Sequence, residues 1–192
     1  MTTRLRALDR AQHVEFASRE EWRAWLEANH GTATGVWLVF LRRGRTARYD
    51  PAVEEALCFG WIDGQAGLVD ELRSKLYFAR RRARSMWSAP NKVRFQRMLD
   101  AGQMTSAGSA VVERAKADGS WTVLESADRL DMPADLAAAL DQRPPARRTW
   151  DAYSRSARRQ LLAGILTARR DATRARSIEA IATRAQLGEQ AL

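Results

Sequence analysis

Lysine, cysteine and histidine are all scarce in this 192-residue chain, which has three Lys (Lys75, Lys92, Lys116), one Cys (Cys58) and two His (His13, His30) against 29 Arg. A single cysteine excludes an internal disulfide framework and a cysteine-based zinc cluster, and it suits a reducing compartment. The two histidines lie far apart with no carboxylate at metal spacing, which argues against a metal site and against a Ser/His/Asp triad. No apolar run approaches the ~18 residues of a membrane span. Arg4, Arg6, Asp9 and Arg10 interrupt the stretch from Met1 to Phe16, so no apolar signal core forms and the expected location is cytoplasmic. Walker and dinucleotide loops are missing too, since no Lys-Ser/Thr pair follows Gly60 and Gly64. No cofactor is expected. Internal repeats and low-complexity linkers are also lacking.

What the chain does have is apolar mass and positive charge: 45% of residues are hydrophobic, seven are Trp, and the net charge is +9. The charge is local. Residues 73–97 hold nine basic side chains and no acidic one, whereas 98–142 hold eight acidic and three basic. Such a block favours an anion nearby. Two readings stand side by side: a functional anion site, or a patch neutralised by the acidic 98–142 segment.

Local patterns predict an α+β protein, with a small N-terminal β-sheet packed with helices and a mostly helical C-terminal half. The capping box Ser18-Arg19-Glu20-Glu21 predicts a helix over 19–29, and the apolar run Val36–Leu41 predicts a buried strand. Asp50-Pro51 reads as a helix start, running through Leu57 and stopping at Gly60. Trp61 to Gly64 reads as a tight connection, with short strands at Leu68–Asp70 and Lys75–Ala79. Ser88 is placed as the cap of a helix reaching Gly102, followed by helices over 105–117, around Leu136 and Leu140 until Pro144-Pro145 breaks it, over 154–168 and over 172–187. The expected division is an α+β region over 1–102 carrying the site and a helical region over 103–192 packed on it as a single domain.

Two stretches concentrate chemistry. In Cys58-Phe59-Gly60-Trp61-Ile62-Asp63-Gly64 the two glycines permit a tight turn while Trp61 and Ile62 bury it, so Asp63 is held against protein and needs a partner. Arg81 or Arg82 would supply a bidentate one, leaving other guanidiniums free for a ligand. Asp63 and Cys58 are the candidate catalytic residues. The competing reading is a structural Asp–Arg pair and a buried thiol. In Arg80-Arg81-Arg82-Ala83-Arg84-Ser85-Met86-Trp87-Ser88-Ala89-Pro90-Asn91, the Arg forks, the hydroxyls of Ser85 and Ser88, the Asn91 amide and a helix start suit a carboxylate or phosphate. Trp87 would wall that site and Trp61 would line it.

The run Glu55-Ala56-Leu57-Cys58-Phe59-Gly60-Trp61-Ile62-Asp63-Gly64, the spaced Arg81-Arg82, Ser85, Trp87-Ser88 and Asn91, then Met104, Gly108 and Glu113-x-Ala115-Lys116-x-x-Gly119-x-Trp121, resemble the YdeI/OmpD-associated family, also called bacteriocin-protection proteins. Thr173 to Ile178 is similar to that family's closing helix. The chain departs from the pattern where the family has a Pro after Arg-Phe, since Arg80 stands at the Pro and Tyr77 at the Arg. The resemblance implies resistance toward cationic peptides and association with an outer-membrane porin, and it carries no reaction. The expected function is binding of a small anionic ligand, with Arg81 and Arg82 as clamp and Ser88 and Asn91 orienting it. The alternative is a nucleic-acid module using the 73–97 patch and the basic C-terminal helices.

Overall fold

The computed structural model describes residues 7–42, 45–168 and 170–189. The sequence Arg42-Arg43-Gly44-Arg45 reads as a turn after the Val36–Leu41 strand, and its central residues 43 and 44 lie outside the described residues. The described chain falls into two compact units, one built from Met1–Ser85 and Ala89–Asp118, the other from Met86–Ser88 and Gly119–Leu192.

The first unit is a four-stranded sheet with helices. Its elements are β1 (His13–Val14), α1 (Arg19–Asn29), β2 (Gly35–Leu41), α2 (Arg45–Cys58), β3 (Trp61–Leu68), β4 (Arg73–Arg80), α3 (Ala89–Asp100) and α4 (Ser106–Ala117). The strand order is β1-β2-β4-β3, with β1 parallel to β2 and the other pairings antiparallel. Register sets Val36 opposite Phe78 and Leu38 opposite Leu76, so these side chains share one face, and all four are buried. Trp22 of α1 packs on that face, its ring 5.4 Å from Phe78. On the opposite face Lys75 Nζ sits 4.5 Å from the Trp37 ring, with Tyr77 beside it at 5.3 Å.

Local chemistry explains most boundaries. The Glu21 N–H donates to Ser18 Oγ at 3.2 Å, while the Glu21 carboxylate accepts from the Ala17 N–H at 2.9 Å, one residue earlier than the expected capping box. Asp50-Pro51 does not open α2. That helix starts at Arg45 and carries Pro51 inside it, at the cost of one backbone hydrogen bond. Burial of Ala52, Val53, Ala56 and Leu57 along one stripe offsets that loss.

Trp61–Gly64 is likewise no connection but the start of β3, whose register shifts between Asp63 and Ala66. Gly64 therefore marks a strand irregularity of the β-bulge kind, and the true turn lies between Leu68 and Arg73.

The second unit holds α5 (Glu125–Arg129), α6 (Ala134–Asp141), α7 (Pro144–Ala152), α8 (Arg155–Leu166) and α9 (Asp171–Gln186). Its core gathers Leu136, Leu140, Trp150, Leu162, Ile165 and Ile178. The helix around Leu136 and Leu140 ends at Asp141, ahead of Pro144 and Pro145 as expected, and the two prolines also occupy the first turn of a further helix, α7, where a missing N–H costs nothing. Arginine forks tie the surface, as in the paired bonds from Arg174 to Asp135 at 2.8 and 2.9 Å. Among the described residues, no helix is long and apolar enough to cross a membrane.

Candidate functional site

The site of the first unit grows from the join between α2 and β3. Gly60 has a φ of +74°, and a Cβ there would lie 2.7 Å from Val111 Cγ2, so the reversal requires glycine. Its carbonyl accepts from the Arg81 N–H at 2.9 Å, which brings the Gly60–Gly64 stretch beside the exit of β4. Trp61 is fully buried there, with its Nε1–H on the His30 carbonyl at 3.2 Å and its ring edge-on to Trp25 at 5.9 Å.

Asp63, half-buried, accepts from the Tyr49 hydroxyl at 2.7 Å. Burial first, and then that carboxylate, push the Tyr49 phenol up to about 12. Arg94 lies over the Tyr49 ring at 5.5 Å and donates to Asn91 Oδ1 at 2.8 Å and to Asp50 Oδ1 at 2.5 Å. The expected bidentate pair between Asp63 and Arg81 or Arg82 gives way to this arrangement. Arg81, buried, turns its Nη1 toward Ser85, 3.3 Å from Oγ and 3.5 Å from the carbonyl oxygen. Desolvation pulls Arg81 down to about 10 while the charge of Asp63 opposes the fall, so it stays cationic at neutral pH.

The next four residues form a turn. The Ser85 N–H reaches the Arg82 carbonyl at 3.1 Å, and Arg84 adopts a φ of +58°. A non-glycine residue in that region costs about 1–2 kcal/mol. The Asp118 carboxylate, accepting from the Arg84 N–H at 3.1 Å, helps to hold it. Arg82 is exposed at the start of this turn and has no ion-pair partner among the described residues.

The remaining candidates divide. Asn91 sits in α3 with Arg94, whereas Trp87 and Ser88 belong to the second unit. Trp87 is 2% exposed, its ring 4.9 Å from Trp121. Ser88, half-buried, directly precedes α3. Cys58 is fully buried at the end of α2, and burial reinforced by the Glu55 charge pushes its thiol up to about 11, away from the thiolate that nucleophilic work requires. The basic block is partly matched within its own unit. Arg73 pairs with Asp70 and Glu15, Arg94 with Asp50, and Arg97 with Glu54.

Sequence reasoning missed one cluster. Glu54 and Glu55, both buried on α2, are gripped by three arginines: Arg19 reaches Glu55 at 2.5 Å and Glu54 at 3.1 Å, Arg23 reaches Glu55 at 2.7 Å, and Arg97 closes on Glu54. The signal was present as two adjacent carboxylates within the apolar run Ala52–Cys58, since buried carboxylates must be paired. Among the described residues, no cluster of three or more His, Cys, Asp or Glu could hold a metal ion.

Residues 14–111 match the model of a domain of unknown function (DUF8412), and residues 129–188 match the family described as Bacteriocin-protection, YdeI or OmpD-Associated. No curated protein and no solved structure matches the chain.

Proposed function

We propose, for a chain that belongs to the DUF8412 family over residues 14–111 and to the YdeI- or OmpD-associated family over residues 129–188, that its first unit binds a small anion at the Arg82 turn. The observation that carries this reading is an exposed guanidinium, Arg82, without an ion-pair partner among the described residues, on a turn fixed from both sides. Asp118 holds the backbone at Arg84, and Arg81 holds Ser85. A guanidinium carried on a turn whose backbone is already fixed costs less backbone ordering on binding than one on a mobile loop. Asp63 is a positioning residue, acting through its charge on Arg81.

The pairing of Arg73, Arg94 and Arg97 with carboxylates weighs against a nucleic-acid partner, because it removes three charges from the patch that would meet phosphates. A thermal-shift screen against inorganic phosphate, phosphorylated metabolites, carboxylates and short oligonucleotides at two salt concentrations separates the readings. A small anion that raises Tm at both salts, an effect lost in Arg82→Ala without a drop in the basal Tm, supports the site. Stabilisation by oligonucleotides alone, and only at low salt, transfers the assignment to nucleic acid. The protection named in the family description becomes the phenotype to score in cytoplasmic complementation with wild type and Arg82→Ala.

A further inference from the structure

At the other end of β2, the beginnings of α1 and α2 leave a cavity of about 170 Å³. Its walls are mainly apolar, with three aromatic rings: Phe16, Trp22 and Phe40 line it beside Leu38, with Ala52 and Pro51 from α2. The walls are already set. The Trp22 Nε1–H donates to the Ala52 carbonyl at 3.0 Å, and the Trp22 ring packs on Phe16 at 5.5 Å and on Trp25 at 5.4 Å, so a ligand would meet a surface that needs no rearrangement.

Two arginines border this cavity, and they differ in one respect. Arg19 spends its fork on Glu55, Glu54 and Met98 Sδ. Arg48 is exposed and has no ion-pair partner among the described residues. The carboxylates closest to Arg48 in sequence are committed elsewhere: Asp50 pairs with Arg94, Glu54 with Arg19 and Arg97, and Glu55 with Arg19 and Arg23. A mainly apolar interior, with an exposed guanidinium at its margin that has no ion-pair partner among the described residues, is complementary to an organic monoanion with an apolar body.

Size narrows the class. A dry cavity of about 150 Å³ accepts benzene, whereas drug-sized ligands and nucleotides require roughly 300–1,000 Å³. We propose that this cavity binds a small apolar monocarboxylate of one-ring size, an aryl or branched-chain acid, with Arg48 pairing to the carboxylate. A planar carboxylate also matches the guanidinium fork in a way that a neutral isostere cannot. The site is separate from the Arg82 turn. Phe40 pairs with Ser74 while Gly35 pairs with Ala79, so the two ends of β2 are about 17 Å apart at 3.4 Å per residue.

Calorimetric titration of the full chain with benzoate, benzyl alcohol and acetate at constant ionic strength, alongside tryptophan fluorescence, tests the assignment. Benzoate should bind one to one with a Kd of roughly 1 mM or tighter, perturbing the Trp22 environment. Benzyl alcohol lacks the charge and acetate the ring, so each should bind about tenfold more weakly or worse. Arg48→Gln, a surface change that should keep the wild-type Tm, should weaken benzoate about tenfold and leave benzyl alcohol unaltered. The charge-matched Arg176→Gln should change neither. Benzoate binding that Arg48→Gln does not affect, or no saturable binding at all, overturns the proposal.

Discussion

Tyr49 donates a 2.7 Å hydrogen bond to Asp63, tying α2 to β3 across a half-buried contact that also carries the weight of Arg94 on the phenol ring. Replacing Tyr49 by Phe leaves the carboxylate without its donor. The expected loss is about 1–2 kcal/mol, read as a lower urea midpoint at unchanged m-value. The phenol also sets a pH limit. Its folded pKa is pushed up to about 12 from an ordinary value of 10.0, so its contribution to stability is complete below pH 10 and disappears as pH rises toward 12. Ultraviolet titration should show that the tyrosine ionising last in the wild type is missing in Tyr49→Phe, while Tyr77 and Tyr153, which burial also raises, still ionise above the ordinary value. Ionisation of all folded tyrosines near pH 10 would contradict the contact.

Glu55 joins Arg19 and Arg23, and its neutralisation leaves Arg19 with Glu54 alone and Arg23 with the exposed Glu27 and the Gln103 carbonyl. Glu55→Gln should therefore cost about 2–3 kcal/mol, somewhat less than for a fully buried pair because both arginines retain some solvent. Chemical denaturation at low and high salt would check this. A cost below about 0.5 kcal/mol would show the network to be no stronger than an exposed pair.

Cys58 should be inert in the native state. Its thiol is pushed up to about 11 from 9.0 by burial and by Glu55, so iodoacetamide labelling at neutral pH should require unfolding. The corresponding stability is present below pH 9 and is lost as pH climbs toward 11. Native labelling as fast as that of a small thiol would reverse this assignment.

Two glycines in helices should respond in opposite directions. A Cβ on Gly108 would lie 2.3 Å from the Cys58 carbonyl oxygen and 2.6 Å from Met104 Cε, so Gly108→Ala must displace backbone, at about 1–3 kcal/mol. Gly164, exposed in α8, has nothing within 4 Å of such a Cβ, and Gly164→Ala should add about 0.5–1 kcal/mol. Melting temperatures moving in the same direction would refute the contrast.

The α+β class and the spans of α1, β2, α3, α4, α8 and α9 were legible because each depends on a local signal: a cap, an apolar period or a terminal glycine. Errors clustered where a residue type serves more than one geometry. Proline can follow a helix, open one or be carried inside one, and only the fold decides: Pro144 follows α6 and opens α7, whereas Pro51 lies inside α2. Glycine marks both turns and bulges, which turned the start of β3 into a predicted connection. At the candidate site, the approach of Gly60 to Arg81 follows from strand pairing that a turn-based reading anticipated. The Tyr49–Asp63 bond and the identity of the arginines that grip Glu54 and Glu55 were not legible, because these partners lie 14 to 43 positions apart and nothing local links them.

The assignment of Met86–Ser88 to the second unit has a consequence for how this chain can be divided or inherited. Three residues, including the ring that packs on Trp121, are encoded inside the first unit's stretch. A scission after Asp118 would deliver a helical fragment whose Trp121 has lost its neighbour, and a first fragment carrying a tryptophan that belongs elsewhere. Asp118 is therefore not a clean boundary between the two units in the order of the chain. Recombination at that joint would break a package that only the uninterrupted gene transmits whole.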